Sequence, residues 1–185
     1  MSSVARRSTV IGALVLVAVV TWVLVCVDRV ARPDLDEAGQ VDAVYVIGPV
    51  ETRIEQALAV MDTGVAPVLL ATTSVNQETG QHYATGHCGQ ESDLYRVECV
   101  LPDPYSTRGE ARLLGGQVEE HGWERVAVMT STPHAARTRL LMERCTDAEV
   151  LVWAVDDGDL GVRAWANAFV YQSAAWVKTQ VLRGC

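Results

Sequence analysis

Cationic side chains are scarce through most of this sequence, and their scarcity excludes a class of function. Lys178 is the only lysine. Four of the 15 Lys and Arg residues (Arg6, Arg7, Arg29 and Arg32) precede Pro33, with only Asp28 among the 23 Asp and Glu residues. The remainder carries 11 basic against 22 acidic residues. Nucleic-acid binding depends on neutralising phosphates with Lys and Arg, so no nucleic-acid partner is expected. The dinucleotide fingerprint G-x-G-x-x-G is also missing, as is a G-x-S-x-G elbow around Ser131, and the chain has neither internal repeats nor low-complexity segments. No cofactor is expected. The 185 residues accommodate a membrane segment and one domain of ordinary size.

What the chain does have, at its start, is a long apolar run. Val10 to Val27 is interrupted only by Gly12 and Thr21, with Arg6 and Arg7 before it and Asp28, Arg29 and Arg32 after it. Its length approaches the roughly 20 residues that a spanning helix needs, and no small-x-small cleavage site stands around Val27 to Pro33. The expectation is an uncleaved anchor at 10–28 in the cell membrane, after a cytoplasmic stretch at 1–9. The positive-inside rule favours that orientation and puts a linker at 29–41 and a domain at 42–185 outside the cytoplasm. Cys88, Cys99, Cys145 and Cys185 would then face an oxidising compartment. Four cysteines allow three pairings. Cys88 and Cys99 flank one short segment, while Cys145 ends a helical pattern and Cys185 ends the chain, so the expected bonds are Cys88 with Cys99 and Cys145 with Cys185.

Within the domain, short apolar runs alternate with helical periodicity. Ala43 to Ile47, Pro67 to Ala71, Tyr95 to Leu101, Val126 to Thr130 and Val150 to Ala154 read as buried strands. Ile54, Ala57, Leu58 and Met61 mark one helix, Ala111, Leu114 and Val118 a second, Pro133 to Arg144 a third, and Val162, Trp165, Phe169 and Trp176 a long final one. Val75 to Asp93 reads as an unusually long loop, and Asp156-Asp157-Gly158-Asp159 as a turn. Strands alternating with helices imply an α/β, Rossmann-like three-layer sandwich with a mainly parallel sheet of about five strands, preceded by one transmembrane helix.

In open parallel sheets the ligand crevice lies beyond the carboxyl ends of the strands. The polar turns there are Gly48 to Arg53, Thr72 to Ser74, Ser106 to Glu110, and Thr130 to Arg137. Val-Ala-Val-Met-Thr-Ser-Thr-Pro-His-Ala-Ala-Arg at 126–137 reads as strand, turn and helix start, with Thr132 as cap and Pro133 at the first helical position. His134 and Arg137, three apart, share a helical face, which suits a phosphate or carboxylate at the helix start. Thr107 and Glu110 have capping-box spacing, and capping alone would account for Glu110. The functional alternative makes His134 and Glu110 acid and base, or Glu110 the orienting partner of His134. Gly48, Arg53, Thr130, Ser131 and Arg137 would bind the ligand. Arg139 and Arg144 read as solvated. His82, His87 and Cys88 match no strong zinc spacing, and no metal is expected.

The order Asp42-Ala-Val-Tyr-Val-Ile-Gly48, Arg53, Gly64-x-Ala66-Pro67, Ser106-Thr107 with Glu110-Ala111, and Thr130-Ser131-x-x-His134-x-x-Arg137 resembles the YdcF, SanA and ElyC family, a domain of unknown function. The likeness runs from Asp42 to about Lys178. The Pro-Asp-Pro-Tyr-Ser-Thr-Arg-Gly-Glu-Ala run and the cysteines look like an actinobacterial branch. The resemblance implies a Rossmann-like domain, often membrane-anchored, linked to envelope integrity and peptidoglycan-precursor metabolism. Such proteins often have a glycine-rich turn after the first strand and Ser-Gly-Gly after the second. This chain has Gly48-Pro49-Val50 and Thr72-Thr73-Ser74, and fewer glycines mean less close backbone approach to a phosphate.

Overall fold

The computed structural model describes residues 3–76, 78–155 and 161–185, the side chains of 3–6 and 8 aside. The expected turn at Asp156 to Asp159 lies outside the described residues. Helix α1 (Ser3–Cys26) continues into a π-helical turn, Val27–Ala31. Together they contain one candidate membrane span, Thr9–Ala31, whose 23 residues reach about 35 Å at 1.5 Å per residue. Its side chains stand exposed until the far end, where Cys26 and Val30 are buried against the domain.

The domain is a five-stranded sheet of β1 (Ala43–Val46), β2 (Val68–Thr72), β5 (Arg96–Val100), β6 (Arg125–Thr130) and β7 (Glu149–Ala154), all pairs parallel, in the order β5-β2-β1-β6-β7. These are the five runs read as strands in the sequence; β1, β2, β6 and β7 are largely buried, as expected of strands covered on both faces, whereas the edge strand β5 buries only Val97. Alternate residues enter two cores. Val44 and Val46 face helix α2 (Ile54–Met61), while Tyr45 and Ile47 face α3 (Thr107–His121) and α4 (Ala135–Cys145). Helix α5 (Val162–Val181) lies against α4. The long loop is less irregular than its composition suggests, because β3 (Ser74–Val75) and β4 (His82–Tyr83) pair as a small antiparallel hairpin.

Two arginines read as solvated hold distant segments. Arg139 pairs with Asp36, whose backbone N–H donates to Val152 O of β7 and whose carboxylate accepts from Val152 N–H. The linker therefore runs along the edge of the sheet and covers an otherwise open strand. Arg144 donates to Thr179 O at 2.7 Å and fastens α5.

The structure pairs Cys88 with Cys99 and Cys145 with Cys185, at Cα separations of 5.4 and 5.1 Å. The first bond closes the loop onto β5, and the second ties the chain end to the end of α4. Arg112 reinforces the second by donating to Cys185 O. The bonds span 11 and 40 residues, so loop entropy gives about 3 and 4 kcal/mol respectively. The double variant Cys145→Ser/Cys185→Ser is expected to lose more unfolding free energy in urea titration than Cys88→Ser/Cys99→Ser. The reverse order would show that the loop staple matters more than chain length implies.

Candidate functional site

Strand order reverses between β1 and β6, so the loops leaving their carboxyl ends diverge and open a crevice. The crevice encloses about 300 Å³ and is lined by the turn after β1, the start of α3, the turn after β6 and one side of α5. Of the residues expected to form a site, Gly48, Arg53, Glu110, Ser131, His134 and Arg137 all line it. Thr130 does not. It is fully buried at the end of β6, and its hydroxyl lies 3.0 Å from His134 Nδ1.

The start of α3 departs from the expected capping box by one residue. Ser106, not Thr107, is the N-cap, and its hydroxyl accepts from Gly109 N–H at 3.2 Å. Gly109 permits this register, since a Cβ there would stand 1.9 Å from Pro104 O. The shift releases two side chains. Thr107 Oγ1 lies 3.2 Å from His134 Nε2 and accepts from Arg137 Nη1 at 3.2 Å. Glu110 turns into the interior, where Oε1 accepts from Gly48 N–H at 2.8 Å and from the Thr72 hydroxyl at 3.1 Å. Thr72 Oγ1 is also 2.9 Å from the Tyr45 hydroxyl. Glu110 is therefore not the orienting partner of His134. Thr107 and Thr130 hold that ring, and the N–H of Gly48, a residue expected to bind the ligand, is engaged by Glu110.

The turn after β6 also begins differently from the expectation. Thr132–His134 is a 3-10 turn with Ser131 at its N-cap, and α4 proper starts at Ala135. Pro133 still lies at the first turn, where its missing N–H is harmless. The turn buries His134 and points Arg137 across the crevice, with Arg137 Nε donating to Gln172 Oε1 of α5 at 3.0 Å. Arg53 sits at the N-cap of α2 rather than inside it, and its guanidinium reaches back to Ile47 O at 3.1 Å.

Burial dominates the electrostatics. It lowers the His134 pKa well below the usual 6.5, and the nearby Arg137 and Arg53 cations push in the same direction. The ring is neutral at neutral pH, able to donate at one nitrogen and accept at the other, and two hydroxyls can serve either tautomer. Burial likewise raises the Glu110 pKa, against the opposing bonds from Gly48 and Thr72 and the charges of Arg137 and Arg53. Burial lowers the pKa of Arg137, but a guanidinium keeps its proton. Chemically, the crevice offers fixed positive charge, a neutral imidazole beside a hydroxyl, and a carboxyl biased toward protonation.

Ser106 and Thr107, expected at the crevice as part of a turn, line it, and so do Tyr105, Tyr171 and Gln172, which the sequence did not place there. For Thr107 a signal existed in Gly109, the residue that lets Ser106 take the cap. Of the histidines outside the crevice, His87 contacts Gln90 and Glu55. No family model, curated protein or solved structure matches this chain.

Gly109→Ala is expected to cost about 1–3 kcal/mol through overpacking against backbone, and to move Thr107 off His134. An unchanged melting temperature together with an unchanged His134 NMR shift would exclude this account of the cap. The depressed His134 pKa makes the folded state bind fewer protons than the unfolded one, so its stabilising contribution is complete above 6.5 and falls as pH drops below that value. Glu110 works oppositely, its contribution growing as pH falls through its raised pKa toward 4.5. Relative to wild type, His134→Gln should gain stability on acidification and Glu110→Gln should lose it, as read from thermal melts at stepped pH.

Proposed function

We propose that this chain is a membrane-anchored domain that binds a phosphorylated or otherwise anionic small molecule at the carboxyl ends of its strands. The observation that carries the reading is Arg137. Its cation faces a crevice, and its hydrogen-bond partners, Thr107 Oγ1 and Gln172 Oε1, are both neutral. A guanidinium held this way keeps its charge available for a bidentate contact with phosphate or carboxylate. Arg53 adds a second cation at the wall. The resemblance to the YdcF, SanA and ElyC family supports a role in cell-envelope integrity or peptidoglycan-precursor metabolism. The apolar helix and the disulfides support a domain held outside the cytoplasm with its N-terminus inside. In the catalytic form of this proposal, neutral His134 accepts or returns a proton through Nε2 beside Thr107, and Glu110, biased toward protonation, is the acid.

A non-catalytic binding module is the second reading. It is favoured by one specific arrangement: both ring nitrogens of His134 and one oxygen of Glu110 are already engaged by the protein's own groups.

Calorimetric titration of the full chain with inorganic phosphate tests the shared premise. Arg137→Ala should weaken binding roughly 10- to 100-fold, the equivalent of one charge-assisted contact. Equal affinity in the variant and wild type would remove the anion reading. His134→Ala then separates the two forms: loss of cellular function with phosphate affinity retained supports chemistry, and full cellular function supports a binding module.

A further inference from the structure

Beside the crevice lies a larger cavity, about 530 Å³ in volume. It is bounded by the start of α3, by α4 and by the second half of α5, and it joins the crevice across Ser106, Arg137 and Tyr171, which line both. Clefts of a few hundred Å³ take small organic molecules. A bare phosphate at Arg137 would leave this one empty.

Helix α5 supplies one continuous wall. Tyr171, Ala174, Ala175, Lys178, Thr179 and Leu182 all line the cavity, and they follow the i, i+3, i+4 spacing of a single helical face. At one end of this wall Arg137 is fixed level with Gln172, to which its Nε donates at 3.0 Å. At the other end Arg108 Nη2 donates to Leu182 O at 2.7 Å, and Lys178 stands one turn before Leu182 on the same face. From Gln172 to Lys178 the helix rises about 9 Å at 1.5 Å per residue. Between the two ends the lining is uncharged, with the small side chains of Ala174 and Ala175 leaving room beside Leu141 of α4.

The charged groups lining the cavity are Arg108, Arg137 and Lys178, all cations. Among the described residues none of the three forms an ion pair. Yet beyond Pro33 acidic residues outnumber basic ones two to one. Asp156, Asp157 and Asp159 precede the first residue of α5, Val162, which is about 24 Å of helix away from Lys178. The bond to Leu182 O occupies one of the five donors of Arg108 and leaves its charge unmatched. Cations gathered around a concave site without counter-ions focus a positive field into it and raise the local concentration of anions.

We propose that this cavity is a second anion subsite, and that the ligand is an elongated small molecule with an anionic group at each end. Arg137 holds one group at the crevice, Arg108 and Lys178 hold the other, and a short uncharged segment lies over Ala174 and Ala175. The proposal deepens the anion-binding reading of the crevice and rests on it.

The test is calorimetric titration of the full chain, in micelles of an uncharged detergent, with two probes. One is butyl phosphate and the other is a butane chain bearing a phosphate at each end. Wild type is expected to bind the bisphosphate about 10- to 100-fold more tightly than butyl phosphate, the range of one added charge-assisted contact. In Arg108→Gln/Lys178→Gln that ratio is expected to fall to near unity. Lys178→Gln alone, at an exposed position, is expected to lower the ratio as well and decides where the double variant fails to fold. Equal affinity for the two probes in wild type, with butyl phosphate binding still lost in Arg137→Ala, overturns the second subsite and leaves the crevice reading standing. A ratio unchanged in both variants overturns the proposal too. Binding of neither probe by wild type overturns both readings.

Discussion

A carboxyl group placed in the interior where β1, β2 and α3 meet must find donors there, and the candidate site is built on the way Glu110 finds them. Burying an unpaired carboxylate is too costly to tolerate, and a buried one persists only with hydrogen bonds. Glu110 takes the backbone N–H of Gly48 at the exit of β1 and the hydroxyl of Thr72 at the end of β2. Thr72 has one proton, so with that proton on Glu110 its oxygen is left for Tyr45. One side chain thus fixes the ends of two adjacent strands relative to the first turn of a helix. Closeness is part of the fit, for a Cβ on Gly48 would stand 2.7 Å from the Tyr105 hydroxyl and 3.6 Å from Glu110 Oε1.

That constraint also sets the register of α3 and everything opposite it. With Glu110 inward, Ser106 is left to cap the helix and Thr107 faces the crevice, where its hydroxyl meets both His134 and Arg137. The resulting groups come from β1, β2, α3, β6, α4 and α5, yet each is held by a neighbour. Such cross-support is what gives a site defined geometry.

The five strands were legible because strands buried on both faces leave apolar runs that need no partner to be recognised. Their order was not, since pairing β1 with both β2 and β6 is a long-range event that local pattern does not encode. At the site, the residue types were legible and their roles were not. Ser106 and Thr107 are both competent caps, and choosing between them depends on a contact between Gly109 and Pro104 visible only after folding. Thr130 was read as touching ligand but holds His134 from beneath. Arg139 and Arg144 looked solvated because Asp36 lies 103 residues from one and Thr179 lies 35 from the other. The small hairpin of β3 and β4 escaped notice because two-residue strands have no periodicity to detect.

The acidity of the domain sharpens what Arg137 means. With 22 carboxylates against 11 bases beyond Pro33, carboxylate partners are plentiful, and Arg96, Arg125 and Arg139 each have one. Arg137 forms no ion pair among those residues, being held by an amide and a hydroxyl. Glu110, the carboxyl whose charge acts on Arg137, is the one whose ionisation burial opposes. His134 stays neutral for the same reason, so it adds no charge of its own. Low-dielectric walls strengthen whatever field remains. Arg137 is therefore a localised positive charge on a negative domain, and it is the feature on which the proposed anion binding rests.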